Sequence, residues 1–145
     1  MENKDYKKFI ISINGFQQTV GDTGGENIEL ITEGEFEYED GLYYADYDES
    51  EATGLEGCHT NIEIGADYMS IARTGSMNTT MLYIQGRKTH SMYHTPYGEM
   101  LVAIYTKKLD INVDETGGTI TAEYIIELND KPCGDNKLEI TIREA

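Results

Sequence analysis

The sequence predicts an all-β protein, an antiparallel up-and-down meander closed into a β-barrel of eight to ten strands. Three observations carry that prediction. Eleven tyrosines, fifteen glycines and only two prolines, with runs of Ile, Thr and Tyr between glycine-marked turns, favour strands. Period-two alternation recurs in about ten segments, each closed by a turn signal. No stretch of ten or more residues carries an i, i+3, i+4 apolar stripe. With 145 residues there is room for one core, so residues 1–145 are expected to form a single β-barrel domain.

The elements follow in order. "FIISI" opens the meander, and "NGFQQTVGDTGGE" after it reads as a polar, glycine-rich connection. "NIELITEGEFEYED" is the clearest strand: Ile28, Leu30, Thr32, Gly34, Phe36 and Tyr38 face the core while Glu29, Glu33, Glu35, Glu37 and Glu39 face water. Ile31 breaks the pattern, and Gly34 in mid-strand predicts a sharp bend. After a turn at Asp40–Gly41 come "LYYADYDE", the loop "SEATGLEG", then "CHTNIEI", the "GAD" turn and "YMSIAR". "MNTTMLYI", a turn at Gln85–Gly86, "RKTHSMYH", the turn "TPYG" and "EMLVAIYTKKLDINV" continue it. "TITAEYIIEL" and "NKLEITIRE" close it. Such a meander leaves two exposed edges unless its first strand pairs with its last.

Charge narrows the partners. The net charge of −16 argues against a nucleic-acid binder or an anionic membrane partner. It is unevenly spread: residues 9–72 hold fifteen acids and no Lys or Arg, whereas residues 73–109 hold five cations and one acid, Glu99. No apolar run suits a signal peptide or a membrane span, so a cytoplasmic location is expected. Cys58 and Cys133, far apart and outside any C-x-x-C spacing, are expected to remain reduced.

The run "YYADYDESEATGLEG", the "IARTG" arginine, the "YHTPYGEM" turn and "YTKKLDIN" together resemble the YwiB-like family of small bacterial proteins, a family of unknown function. The resemblance spans about Glu29 to Arg143 and implies a calycin-like barrel, with no reaction, ligand or catalytic residue attached. The chain lacks Trp and with it the lipocalin G-x-W signature, so no extracellular carrier role follows.

Several motifs bear on chemistry. His90 and His94 have the spacing of a helical zinc pair, but on a strand their Cα atoms stand roughly 13 Å apart, too far to share one ion. Asp46, Asp48 and Ser50 begin like a calcium loop, yet Glu51 occupies the glycine position and Gly57 the final ligand position. No catalytic residue, metal site or cofactor is therefore assigned. Arg73 shares a strand face with Met69 and Ile71 and is expected to point inward, where a cation needs a partner: a carboxylate such as Asp46 or Glu99, or an anionic ligand group.

The leading expectation is a binding barrel for an unidentified small ligand, an anion being one option, with Arg73, His90, Tyr93, Tyr97, Tyr43 and Tyr105 as its polar points. Two alternatives stand beside it. One is an interaction module that forms a homodimer through "EMLVAIYT", which is apolar on both faces; the other is a hydrolase-like enzyme using His90 or His94.

Overall fold

The structure, a computed structural model, describes residues 8–19, 26–49, 57–75, 78–95 and 98–145. These residues form ten strands: β1 (Phe9–Thr19), β2 (Glu26–Glu39), β3 (Leu42–Asp48), β4 (Cys58–Ile64), β5 (Tyr68–Gly75), β6 (Thr79–Ile84), β7 (Lys88–Thr95), β8 (Gly98–Asp114), β9 (Gly117–Leu128) and β10 (Lys131–Glu144). All belong to one antiparallel sheet in the order β6-β5-β4-β3-β2-β1-β10-β9-β8-β7, nearly closed into a barrel. Among the described residues there is no helix, and hence none long and apolar enough to cross a membrane.

The expected pairing of first strand with last is present. β1 pairs along its whole length with β10, from Phe9↔Glu144 to Thr19↔Gly134, and on its other side with β2. That double pairing corrects one expectation, because residues 14–19 are strand rather than connection. Phe16 lies between Asn27 and Lys137, and tertiary pairing overrides the turn-like composition of "NGFQQT".

Gly34 marks a corner, as its position in the sequence suggests. β2 pairs with β1 up to Gly34 and with β3 from Glu35 onward. A Cβ at Gly34 would collide with the Asp46 carbonyl oxygen and the Ile11 side chain, so only glycine lets β2 cross there. Two bulges, at Lys107 in β8 and Cys133 in β10, bend the long strands on the opposite wall. The Asp40–Gly41 turn has both central φ values positive, 51° and 84°, the type I′ geometry that a two-residue hairpin needs; Asn129 and Asp130, at 50° and 68°, repeat it between β9 and β10.

Alternation delivers the core. Ile11, Ile62, Ile64, Met69, Ile104, Ile120, Ile140 and Ile142 are fully buried, each contributing about 1.5–3 kcal/mol of transfer free energy. On β2, Leu30 and Phe36 are buried as expected, and Ile31 is the most exposed large apolar residue at 71%. Ile28 and Tyr38, expected on the core face, are largely exposed because they sit at the two ends of the strand.

The free edges are β6 and β7, which are consecutive in sequence yet share no ladder. The backbone of their connecting turn is taken by β8 instead: Gly86 N–H donates to the Thr106 carbonyl (2.8 Å) and Thr106 N–H to the Arg87 carbonyl (3.2 Å). Across the seam the Thr89 hydroxyl donates to the Leu82 carbonyl (2.6 Å) and the Tyr93 hydroxyl to Met81 Sδ (2.9 Å).

Substituting Gly34→Ala will lower the unfolding free energy by about 1–3 kcal/mol through overpacking against backbone. Gly15→Ala, whose added Cβ meets only the Ile28 carbonyl oxygen at 4.0 Å, will change it by less than about 1 kcal/mol. Urea denaturation of the two variants checks this, and equal losses would contradict the corner assigned to Gly34.

Candidate functional site

One end of the barrel is formed by the last residues of β1, β3, β5, β7 and β9 and the first of β2, β4, β6, β8 and β10. The period-two rule places Tyr43, Ala45, Tyr47 and Glu49 on one face of β3 and its extension. Tyr47 and Glu49 are buried, and Glu49 N–H donates to the Cys58 carbonyl (2.9 Å), prolonging the β3–β4 pairing beyond the strand.

Arg73 points inward, as its alternation with Met69 and Ile71 indicates. Its carboxylate partner is Glu49 rather than Asp46 or Glu99. Asp46 lies on the outer face of β3, whereas Glu49 shares the inner face with Tyr47. Arg73 Nε donates to Glu49 Oε2 at 3.4 Å, and the same oxygen accepts from the buried Thr60 hydroxyl at 2.5 Å. The Glu49 side chain is 1% exposed and that of Arg73 23%. Burial works against the guanidinium charge, but Tyr47 and Glu49 beside it leave its pKa above the ordinary value.

Three tyrosines stand near Arg73. Burial, and then the Glu49 carboxylate, pushes the Tyr47 hydroxyl pKa up; burial raises those of Tyr83 and Tyr124, whose rings meet edge-on with centroids 5.0 Å apart. All three stay neutral phenols, with a proton to donate, through the physiological range. Beside them lies a cavity of about 180 Å³, walled by Ile13, Ile28 and Leu138 and by Tyr47, Glu49, Arg73, Tyr124 and Asn136, with Phe16 and Lys137 at its rim. Among the described residues, no hydrogen bond occupies the terminal Nη1 and Nη2 atoms of Arg73.

The other sequence candidates are scattered. Tyr93 faces inward, close enough to raise the pKa values of Tyr83 and Tyr124, and so shares the interior with Arg73. Tyr43 lies at the opposite end of the barrel, four residues along β3 from Tyr47 or roughly 13 Å, stacked on Phe36 with centroids 5.7 Å apart. His90 and Tyr105 are exposed on the outer face of β7 and β8, in register with Ala103 and Lys88. His90 borders a recess of about 290 Å³ along the β6–β7 seam and makes no hydrogen bond among the described residues. Tyr97 and the His94 side chain lie outside the described residues. Glu49, Tyr47, Thr60 and Asn136 were not singled out from sequence, although "YADYDE" at period two places Glu49 on the core face.

Outside the barrel, Asp46 and Asp48 serve neither Arg73 nor a calcium loop. They bracket His59, with Nδ1 at 2.9 Å from Asp48 Oδ1 and Nε2 at 3.0 Å from Asp46 Oδ1, while Asn61 Nδ2 also donates to Asp46 (2.9 Å). No group of three or more metal-ligating side chains occurs among the described residues. Because both ring nitrogens face carboxylates, both must donate, and the ring is held as imidazolium. The hydrogen bond with Asp48, then that with Asp46, raises its pKa. A raised folded pKa gives stability that is full below the unfolded value of about 6.5 and is lost as pH rises through the folded value. In an NMR titration, His59 will therefore titrate above about 6.5, and Asp48→Asn will move it downward; titration at or below that value contradicts the bracket.

Comparison with known proteins places this geometry. A crystal structure of the ywiB protein from Bacillus subtilis superposes with a TM-score of 0.77 at 17% identity, covering 96% of this chain and 92% of that one, a likeness of fold. No match is found among curated proteins. Residues 11–140, nearly all of the barrel including Glu49 and Arg73, match the model described as "Domain of unknown function (DUF1934)", and the chain belongs to that family.

Proposed function

We propose that the protein is a cytoplasmic binding protein, of the calycin type, for a small ligand held in the mouth of its barrel. The observation that carries this reading is Arg73: an inward guanidinium that lines an apolar-walled cavity and whose terminal nitrogens no described residue occupies. A few polar groups converging in an apolar concavity is the usual composition of a small-molecule site, and barrel mouths are a usual place for one. Size bounds the occupant. A cavity of roughly 150 Å³ takes a benzene-sized molecule, so about 180 Å³ suits one ring with a small substituent. Tyr124 offers ring surface, and Arg73 offers donors to an acceptor group.

The test is native mass spectrometry of the protein purified from its own source, followed by methyl NMR with ring-sized fragments. A co-purifying small mass is expected, with fragment-induced shifts at Ile13 and Ile28 but not at Ile64, which pairs with Tyr43 toward the opposite end of the barrel. Leu138→Trp, which fills the cavity, will abolish those shifts. An empty protein whose Ile13 and Ile28 ignore every fragment would sink the proposal.

The outer face of β7 and β8 supports a second reading, that two copies associate there. Met92 and Tyr105 are 44% and 37% exposed, and the half-buried Leu101 pairs with Met92, so the apolar character of "EMLVAIYT" extends onto the outside wall. Light scattering at high concentration should then report a dimer that Met92→Lys with Tyr105→Lys dissociates. A wild-type monomer removes this reading.

A further inference from the structure

The charge balance inside the mouth says more about the occupant than its size does. An isolated Arg73 would call for an anion. Arg73 is not isolated: Glu49, its side chain 1% exposed, lies against Nε, and the two together bring no net charge into the wall. Thr60 holds Glu49 in place from the far side by a 2.5 Å hydrogen bond. The phenols of Tyr47 and Tyr124 carry no charge, and Asn136 is an amide; the remaining charged residue of the described lining, Lys137, is exposed and shares the outer face of the β1–β10 ladder with Phe16. A carboxylate or phosphate entering the cavity would bury an unbalanced negative charge within reach of Glu49, and a cation would bury an unbalanced positive one beside Arg73. An uncharged carbonyl oxygen avoids both penalties and still accepts from the terminal nitrogens that no described residue occupies.

We infer that the mouth cavity selects an uncharged, carbonyl-bearing ring compound, such as an aromatic amide or lactam, over a carboxylate, phosphate or amine of the same size. This rests on the cavity being a ligand site, and it replaces the anion that Arg73 alone suggests with a neutral acceptor. Recognition comes from the guanidinium for the carbonyl and from Tyr124 and Ile13 for the ring.

Three isosteric probes separate the possibilities on the wild-type protein at neutral pH: benzamide, benzoate and benzamidine, followed by methyl NMR titration at Ile13 and Leu138. Benzamide is expected to bind at least about tenfold more tightly than either charged analogue. In Glu49→Gln, which leaves Arg73 unbalanced, benzoate is expected to overtake benzamide. If that variant does not fold, the wild-type series decides alone. Benzoate or benzamidine binding wild type as tightly as benzamide overturns the charge selection while leaving the ligand cavity standing. Absence of any shift with all three probes overturns both.

Discussion

The pairing of β1 with β10 is the constraint on which the rest of the molecule depends. Two meanders, β1 to β6 and β7 to β10, become one sheet only because β1 is hydrogen-bonded along both edges, to β2 within its own meander and to β10 across nearly the whole chain length. The backbone of Ala145 donating to Lys8 seals the junction at the termini. This is the least local contact in the fold, so its loop-closure entropy is the largest the chain must offset before the core can form. Once made, it brings Asn136 and Leu138 on β10 opposite Tyr47 and Arg73, which belong to the other meander. The cavity is a product of that junction rather than of either meander.

Inside it, polar groups are handled in two ways. Glu49 and Arg73 offset each other, with Thr60 as a third member, which is how a charged group survives at 1% exposure. Outside, the same strand pair places Asp46 and Asp48 against His59. Alternate residues of one short stretch, "DYDE", thus serve two unrelated networks, one internal and one external, separated only by the pleat.

That pleat also explains what could be read from sequence. Period-two patterning located the strands and the core faces of β9 and β10, and the mid-strand position of Gly34 announced the corner, because those signals are local. The inward direction of Arg73 was legible for the same reason. Its partner was not: choosing Glu49 over Asp46 or Glu99 needs the face of β3 and the β3–β5 neighbourhood together, and "DYDESE" looks from composition like a solvated acidic run. The strand character of residues 14–19 was hidden because it derives from two partners distant in sequence. His90 and Tyr105 attract notice by residue type, and type alone does not say which side of a wall a side chain occupies.

Ten strands joined by nine ladders leave the barrel as a ring cut once, along the line between β6 and β7. In a fully laddered barrel, strand number and shear set the girth, and no strand can move outward without breaking main-chain bonds. Here the hoop is fastened by side chains, Thr89 to Leu82 and Tyr93 to Met81, with the turn clipped to β8 at the closed end. Among the described residues, parting that line breaks these side-chain hydrogen bonds and the packing of Tyr83 on Tyr124 but no ladder. Arg73 borders both the central cavity and a recess at the mouth end of the cut. The circumference of the barrel is therefore most compliant beside the residue around which its interior chemistry is arranged.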